Sequence, residues 1–85
     1  MSEKTLIEVT VIAYGKIRRY LQGEPKRTFK LKIESSVRDL FRLLGKPDGE
    51  IWMVNVNGLL ANEEYVLKDR DEVRLFKPVG GGQPS

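Results

Sequence analysis

The chain has 85 residues, enough for one domain, with 40% hydrophobic residues to fill a core and a net charge of +3 from 15 Lys and Arg against 12 Asp and Glu. It has no cysteine and no histidine, which removes disulfides, thiol chemistry, the commonest metal ligand and the usual neutral-pH proton shuttle. A chain this short buries only about 60–65% of its unfolded surface, so the core must be compact.

The first stretch, Thr5 to Tyr14, alternates Leu6, Glu8 and Thr10 with Ile7, Val9 and Val11 and is dense in β-branched residues. It predicts a strand with Ile7, Val9, Val11 and Ala13 facing the core. Tyr14, Ile17, Tyr20 and Leu21 then recur at the spacing of a short helical turn, ended by Gly23. Arg27 to Ile33 alternates again, placing Phe29, Leu31 and Ile33 on one side and lysines on the other, a strand with one wet face. Ser36 is a good N-cap, and Asp39 three residues on is close to a capping box. Val37, Leu40, Phe41 and Leu44 follow as one apolar stripe, and Gly45 and Pro47 stop the helix. Ile51 to Gly58 reads as a strand closing in a turn at Asn57-Gly58. Leu59 to Glu72 reads as irregular connections anchored by Tyr65, Val66 and Leu67. Glu72 to Val79 is the last strand, with Val73 and Leu75 pointing one way and Arg74 and Phe76 the other.

One helix and about four strands is the inventory of an α+β domain, in which one helix covers one face of a mixed sheet. The other face must meet water or a partner. Phe76 then points outward beside the C-terminus, and Leu59 and Leu60, just after a turn, are hard to bury in full. Small sheets also leave single apolar residues exposed without consequence, so both readings stand.

The basic residues form only short groups, Lys16/Arg18/Arg19 and Lys26/Arg27, which reads as a solvated face and not as a nucleic-acid stripe. No run of about 18 apolar residues offers a membrane span. Met1-Ser2-Glu3-Lys4 lacks the basic start and apolar stretch of a secretory signal, so a cytoplasmic protein is expected. No metal and no cofactor is expected.

The stretch from Val54 to Gly82 is more specific. Val56-Asn57-Gly58, then Leu67-Lys68-Asp69-Arg70-Asp71-Glu72-Val73, then Phe76-Lys77-Pro78-Val79 and Gly80-Gly81-Gly82 follow in fixed order. This resembles the ubiquitin-like sulfur carriers of molybdopterin and thiamine synthesis, and its spacing resembles the small subunit of molybdopterin synthase without a gap. The resemblance implies a β-grasp fold with a four- to five-stranded sheet, residues 1–79 as the domain and 80–85 as a flexible tail. It also implies a carrier that is itself no enzyme. A partner related to the ubiquitin-activating enzymes uses ATP to adenylate the terminal glycine, and sulfur then replaces AMP to give a thiocarboxylate. A synthase large subunit or another sulfur acceptor receives it. The resemblance makes Gly82 the activated residue and Gly81 and Gly80 its thin neck. Leu60 and Phe76, with Pro78 and Val79, become the partner-facing contacts.

Three glycines in a row suit that task. A side-chain-free backbone fits a narrow channel and adopts angles closed to other residues, and three extended residues reach roughly 10 Å. Three departures from the family pattern stand out. Arg70 occupies a turn position where glycine is usual, Lys77 replaces the first proline, and Gln83-Pro84-Ser85 follow Gly82. The first expectation is therefore a precursor whose last three residues a peptidase removes. A ubiquitin-like modifier that joins Gly82 to lysines, and an interaction module whose tail is never activated, are the alternatives.

Overall fold

A computed structural model of the chain describes residues 5–78. Its elements are β1 (Leu6–Ala13), a 3-10 helix (Gly15–Leu21), β2 (Lys26–Lys32), α1 (Val37–Leu44), β3 (Met53–Val56), β4 (Leu59–Ala61) and β5 (Glu72–Phe76). The strands form one sheet in the order β2-β1-β5-β3-β4, with β1 and β5 parallel at the centre and the flanking pairs antiparallel. This is the mixed α+β sheet with one main helix that the sequence predicts. The expected boundary between domain and tail after Val79 lies outside the described residues.

The alternation in β1 is realised in full: Ile7, Val9, Val11 and Ala13 are buried. They meet Val37, Leu40 and Phe41 of α1, Ile17 and Leu21 of the 3-10 helix, and Val73 and Leu75 of β5 in one apolar cluster. Each large side chain so buried contributes about 1.5–3 kcal/mol. The helix starts where the sequence places it. Ser36 Oγ accepts from the Asp39 N–H at 3.3 Å, and the Asp39 carboxylate accepts from the Ser36 N–H at 2.9 Å, a complete capping box. Gly45 ends it in the left-handed region, φ 85°.

Several boundaries differ from expectation. Leu59–Ala61 is a strand, not an irregular connection: Val56 pairs with Leu59, and Asn57 and Gly58 between them have φ of 53° and 92°. Two positive φ values are what a two-residue type I′ hairpin requires, so the turn joins two strands instead of ending one. β2 stops at Lys32 because Glu34 turns at φ 72° and the Ser35 hydroxyl donates back to the Lys32 carbonyl at 2.7 Å. Ile33, expected in the core, is therefore 52% exposed. β3 begins at Met53, leaving Ile51 exposed. Trp52 turns inward instead, against Tyr20 and Phe41 at ring separations of 5.0 and 5.3 Å. In the loop after β4, Leu67 is buried and Tyr65 half-buried as anchors, whereas Val66 is exposed. Tyr14 is exposed beside the 3-10 helix, and β5 ends at Phe76, three residues short of Val79.

Candidate functional site

Register fixes which side chains share the outer face, the one turned from α1. Leu60 stands opposite Asn55, Asn55 opposite Arg74, and Arg74 beside Ile12, a row across four strands. The next row, nearer the C-terminus, pairs Phe76 with Met53. Leu60 and Phe76 therefore lie on one face, one row apart with β3 between their strands, roughly 12 Å apart at the usual strand spacing and rise. Leu60 is 65% exposed, Phe76 and Met53 half-buried. Leu59 is 74% exposed at the free edge of β4, where it opens a groove with Val56, Ala61 and Tyr65. The outward aromatic and the exposed leucine expected from the sequence thus belong to one apolar surface.

That surface carries polar features. Arg74 reaches along its own strand to Glu72 at 3.3 Å. Asn55 Oδ1, between Leu60 and Arg74, is buried without a hydrogen-bond donor among the described residues. Buried acceptors are rarely left so.

Past Phe76, Lys77 and Pro78 are exposed, and Val79, Gly80, Gly81 and Gly82 lie outside the described residues. The start of this segment is tied to the connection before β3. Lys77 Nζ lies 3.5 Å from Glu50 Oε1, which also accepts from the Trp52 indole N–H at 2.8 Å. That indole hydrogen bond, followed by the Lys77 charge, holds the Glu50 carboxyl below the usual carboxylate range. The backbone N–H of Ser36 does the same for Asp39, aided by the Ser36 hydroxyl and Arg42. Both groups are held as anions, the reverse of what a general acid near neutral pH needs. Among the described residues no cluster of carboxylates could hold a metal, and no helix is long and apolar enough to cross a membrane.

Sequence reasoning singled out Leu60 and Phe76 but missed Met53, Asn55 and Glu50. The available signal for Met53 and Asn55 was their alternation with the inward Val54 and Val56. Glu50 carried none, because Lys77 reaches it only through the pairing of β5 with β3.

Comparison with curated proteins gives no match. Among solved structures, the chain is similar to a protein described as molybdopterin converting factor subunit 1 from Pyrococcus furiosus. The two are 26% identical over 86% of this chain and 99% of that one, with a TM-score of 0.73. A complex of subunits 1 and 2 of molybdopterin-converting factor from Helicobacter pylori matches at 26% identity over 89% of this chain and 100% of that one, TM-score 0.61. Small archaeal modifier protein 1 of Haloferax volcanii shares the fold at 20% identity, over 86% of this chain and 99% of that one, TM-score 0.72. The model of the ThiS family matches residues 11–82, from the middle of β1 through the last glycine. The chain belongs to the ThiS family of ubiquitin-like, β-grasp sulfur carriers.

Proposed function

We propose that this protein carries sulfur as a thiocarboxylate on Gly82 for molybdopterin-type cofactor synthesis in the cytoplasm, after a peptidase removes Gln83 to Ser85. The observation that carries the reading is the shared outer face of Leu60 and Phe76. A partner covering it meets the chain where β5 leads through Pro78 towards the glycines. Val79 and Gly80 to Gly82 then pass into the partner's site.

A carboxylate resists nucleophilic attack because an oxide would have to leave. In the proposed cycle the Gly82 carboxylate attacks the α-phosphate of ATP and pyrophosphate departs, leaving an acyl-adenylate. Hydrosulfide delivered at the activating enzyme adds to the carbonyl, AMP leaves with the bonding pair, and loss of the sulfur's proton yields the thiocarboxylate. This chain supplies no acid, base or metal in that scheme. It supplies the acyl group and the surface that presents it, as a carrier subunit would. The resemblance to subunit 1 in a two-subunit complex supports a synthase large subunit as the receiving partner.

The test is intact-mass measurement of chain ending at Gly82, incubated with an adenylating enzyme of the ubiquitin-activating type, ATP and a sulfur donor. A mass gain equal to sulfur replacing oxygen is expected, and none from chain ending at Ser85. Full-length chain alone, in cells actively making the cofactor, contradicts the processing step. Failure of the Gly82-ended chain to form an AMP adduct contradicts the carrier reading itself.

A further inference from the structure

Ion pairing is uneven among the cations of the described residues. Those in ion pairs among the described residues are Arg38, Arg42, Arg70, Arg74 and Lys77. Residues 16–32 instead hold seven of the fifteen Lys and Arg residues and one of the twelve acidic ones. Among the described residues none of those seven is in an ion pair: Arg18 donates to the Ala13 carbonyl and Arg27 lies 5.3 Å from the centre of the Phe29 ring. Of these seven, Lys26, Arg27, Lys30 and Lys32 lie on β2, whereas Lys16 and Arg19 of the 3-10 helix line a cleft with Glu50 and Lys77.

β2 is also an open edge of the sheet, seven residues long and free of proline. The N–H of Ala13 bonds the Pro25 carbonyl and the N–H of Ile33 bonds the Thr5 carbonyl. Antiparallel pairs alternate between bonded and non-bonded, so Arg27, Phe29 and Leu31 turn their backbone groups to β1. Lys26, Thr28 and Lys30 turn theirs outward. The same three residues, with Lys32, carry the exposed outer-face side chains, at a repeat of about 6.6 Å. Backbone donors, backbone acceptors and positive charge therefore share one line and one spacing. The other rim, β4, has three residues and exposed leucines.

We propose that the free edge of β2 receives an extended acidic segment of another protein, which adds antiparallel to it as a sixth strand. Acidic residues of that segment fall opposite Lys26 and Lys30, and the apolar residues between them lie over the partly exposed Phe29 ring. Strand addition takes its affinity from main-chain hydrogen bonds and its selectivity from alternate side chains, here the lysines. A second copy of this chain does not fit, because β2 against β2 sets lysine against lysine. Lysines on an edge also discourage aggregation, and the two roles agree, since the charge that repels a like edge attracts an acidic one.

The test titrates isotope-labelled full-length protein with a capped heptapeptide of alternating Glu and Val, observed by amide NMR. Perturbation and solvent protection are expected at Lys26, Thr28 and Lys30. The Lys26→Glu/Lys30→Glu double variant should weaken binding about tenfold or more. Thr28→Pro removes an outward N–H without touching a bond to β1; it should abolish addition while keeping every lysine. Should that variant fail to fold, the same peptide N-methylated at alternate residues makes the equivalent test on the unaltered protein. Equal binding of the N-methylated peptide reduces the effect to charge attraction and overturns the proposal. Tighter binding of a uridine heptanucleotide, or no perturbation of β2 at millimolar peptide, overturns it too. None of these outcomes depends on activation of Gly82.

Discussion

Asn57 and Asp71, fourteen residues apart, clasp each other at the base of the last strand: Asn57 Nδ2 donates to Asp71 Oδ1 at 2.8 Å. The backbones join in. The Asn57 N–H bonds the Glu72 carbonyl, and the Glu72 N–H bonds Asn57 Oδ1, each at 2.8 Å. Asp71, only 5% exposed, also accepts from the Lys68 N–H at 2.8 Å through Oδ2. The Val-Asn and the Asp-Glu-Val parts of the sequence motif are thus two halves of one fastening. Asn57→Ala is expected to cost about 1–3 kcal/mol, because it strips a partner from a buried carboxylate. Asp71→Ala should cost more than Asp71→Asn, which keeps an acceptor. Urea denaturation checks both, and an unchanged midpoint in Asn57→Ala contradicts the clasp.

Arg70 sits beside this fastening with φ 72°, in the left-handed region that glycine occupies freely. Its N–H bonds the Glu8 carbonyl at 2.6 Å, which holds the turn to β1, while its side chain is 89% exposed. The backbone needs the angle, and the side chain adds little. Arg70→Gly relieves strain but gives the unfolded chain more freedom, leaving a net gain of about 0.5–1 kcal/mol. Thermal unfolding should show a raised midpoint. A lowered one assigns the exposed guanidinium a role that its ion pair with Asp69, at 4.0 Å, does not suggest.

What the sequence made legible was local. The period of two in β1, the Ser36/Asp39 cap and the Asn57-Gly58 turn each depend on residues within a few positions, and each is realised. β4 was hidden because two of its three residues are exposed, so no alternation of burial marks it. Ile33 and Ile51 continue an apolar rhythm past the point where the backbone turns away, at Glu34 and before Met53. In the candidate site Leu60 and Phe76 could be named from their places in the motif, but their common face follows from register across β3. The line of lysines on β2, in no ion pair among the described residues, was invisible for the same reason. Whether a lysine is paired depends on which strand lies beside it.

Asp39 and Glu50 give the stability an acid limb. Each carboxyl titrates lower in the folded chain than in the unfolded one: Asp39 chiefly through the Ser36 backbone N–H, Glu50 chiefly through the Trp52 indole. A depressed folded pKa contributes stability that is complete above the unfolded pKa, about 4 for such groups, and lost as pH falls through the folded value. These two groups therefore add no slope to the stability curve between pH 7 and about pH 5, and a decline below about pH 4. Asp39→Asn and Glu50→Gln should each flatten that decline. The Trp52 indole N–H resonance should move with the Glu50 titration in the parent protein and stay still in Glu50→Gln. An indole signal indifferent to acid contradicts the contact.

Leu60 and Phe76 separate docking from folding because they differ in burial. Leu60→Ala removes a side chain that is 65% exposed, so stability should stay within about 0.5 kcal/mol. Binding to the activating enzyme or to a synthase large subunit should weaken by about 1–3 kcal/mol, as for an interface anchor. Phe76→Ala gives up packing against Met53 as well, so it should lose some stability and a comparable share of binding. Calorimetric titration beside thermal unfolding resolves the two. If binding falls only as far as the folded fraction falls, the outer face is part of the domain's packing and not a docking surface. If Leu60→Ala alone weakens binding at unchanged stability, the exposed leucine on β4 marks where the partner sits. Glu50 then becomes the next residue to probe, since its pairing with Lys77 fixes the first residue of the segment the partner must receive.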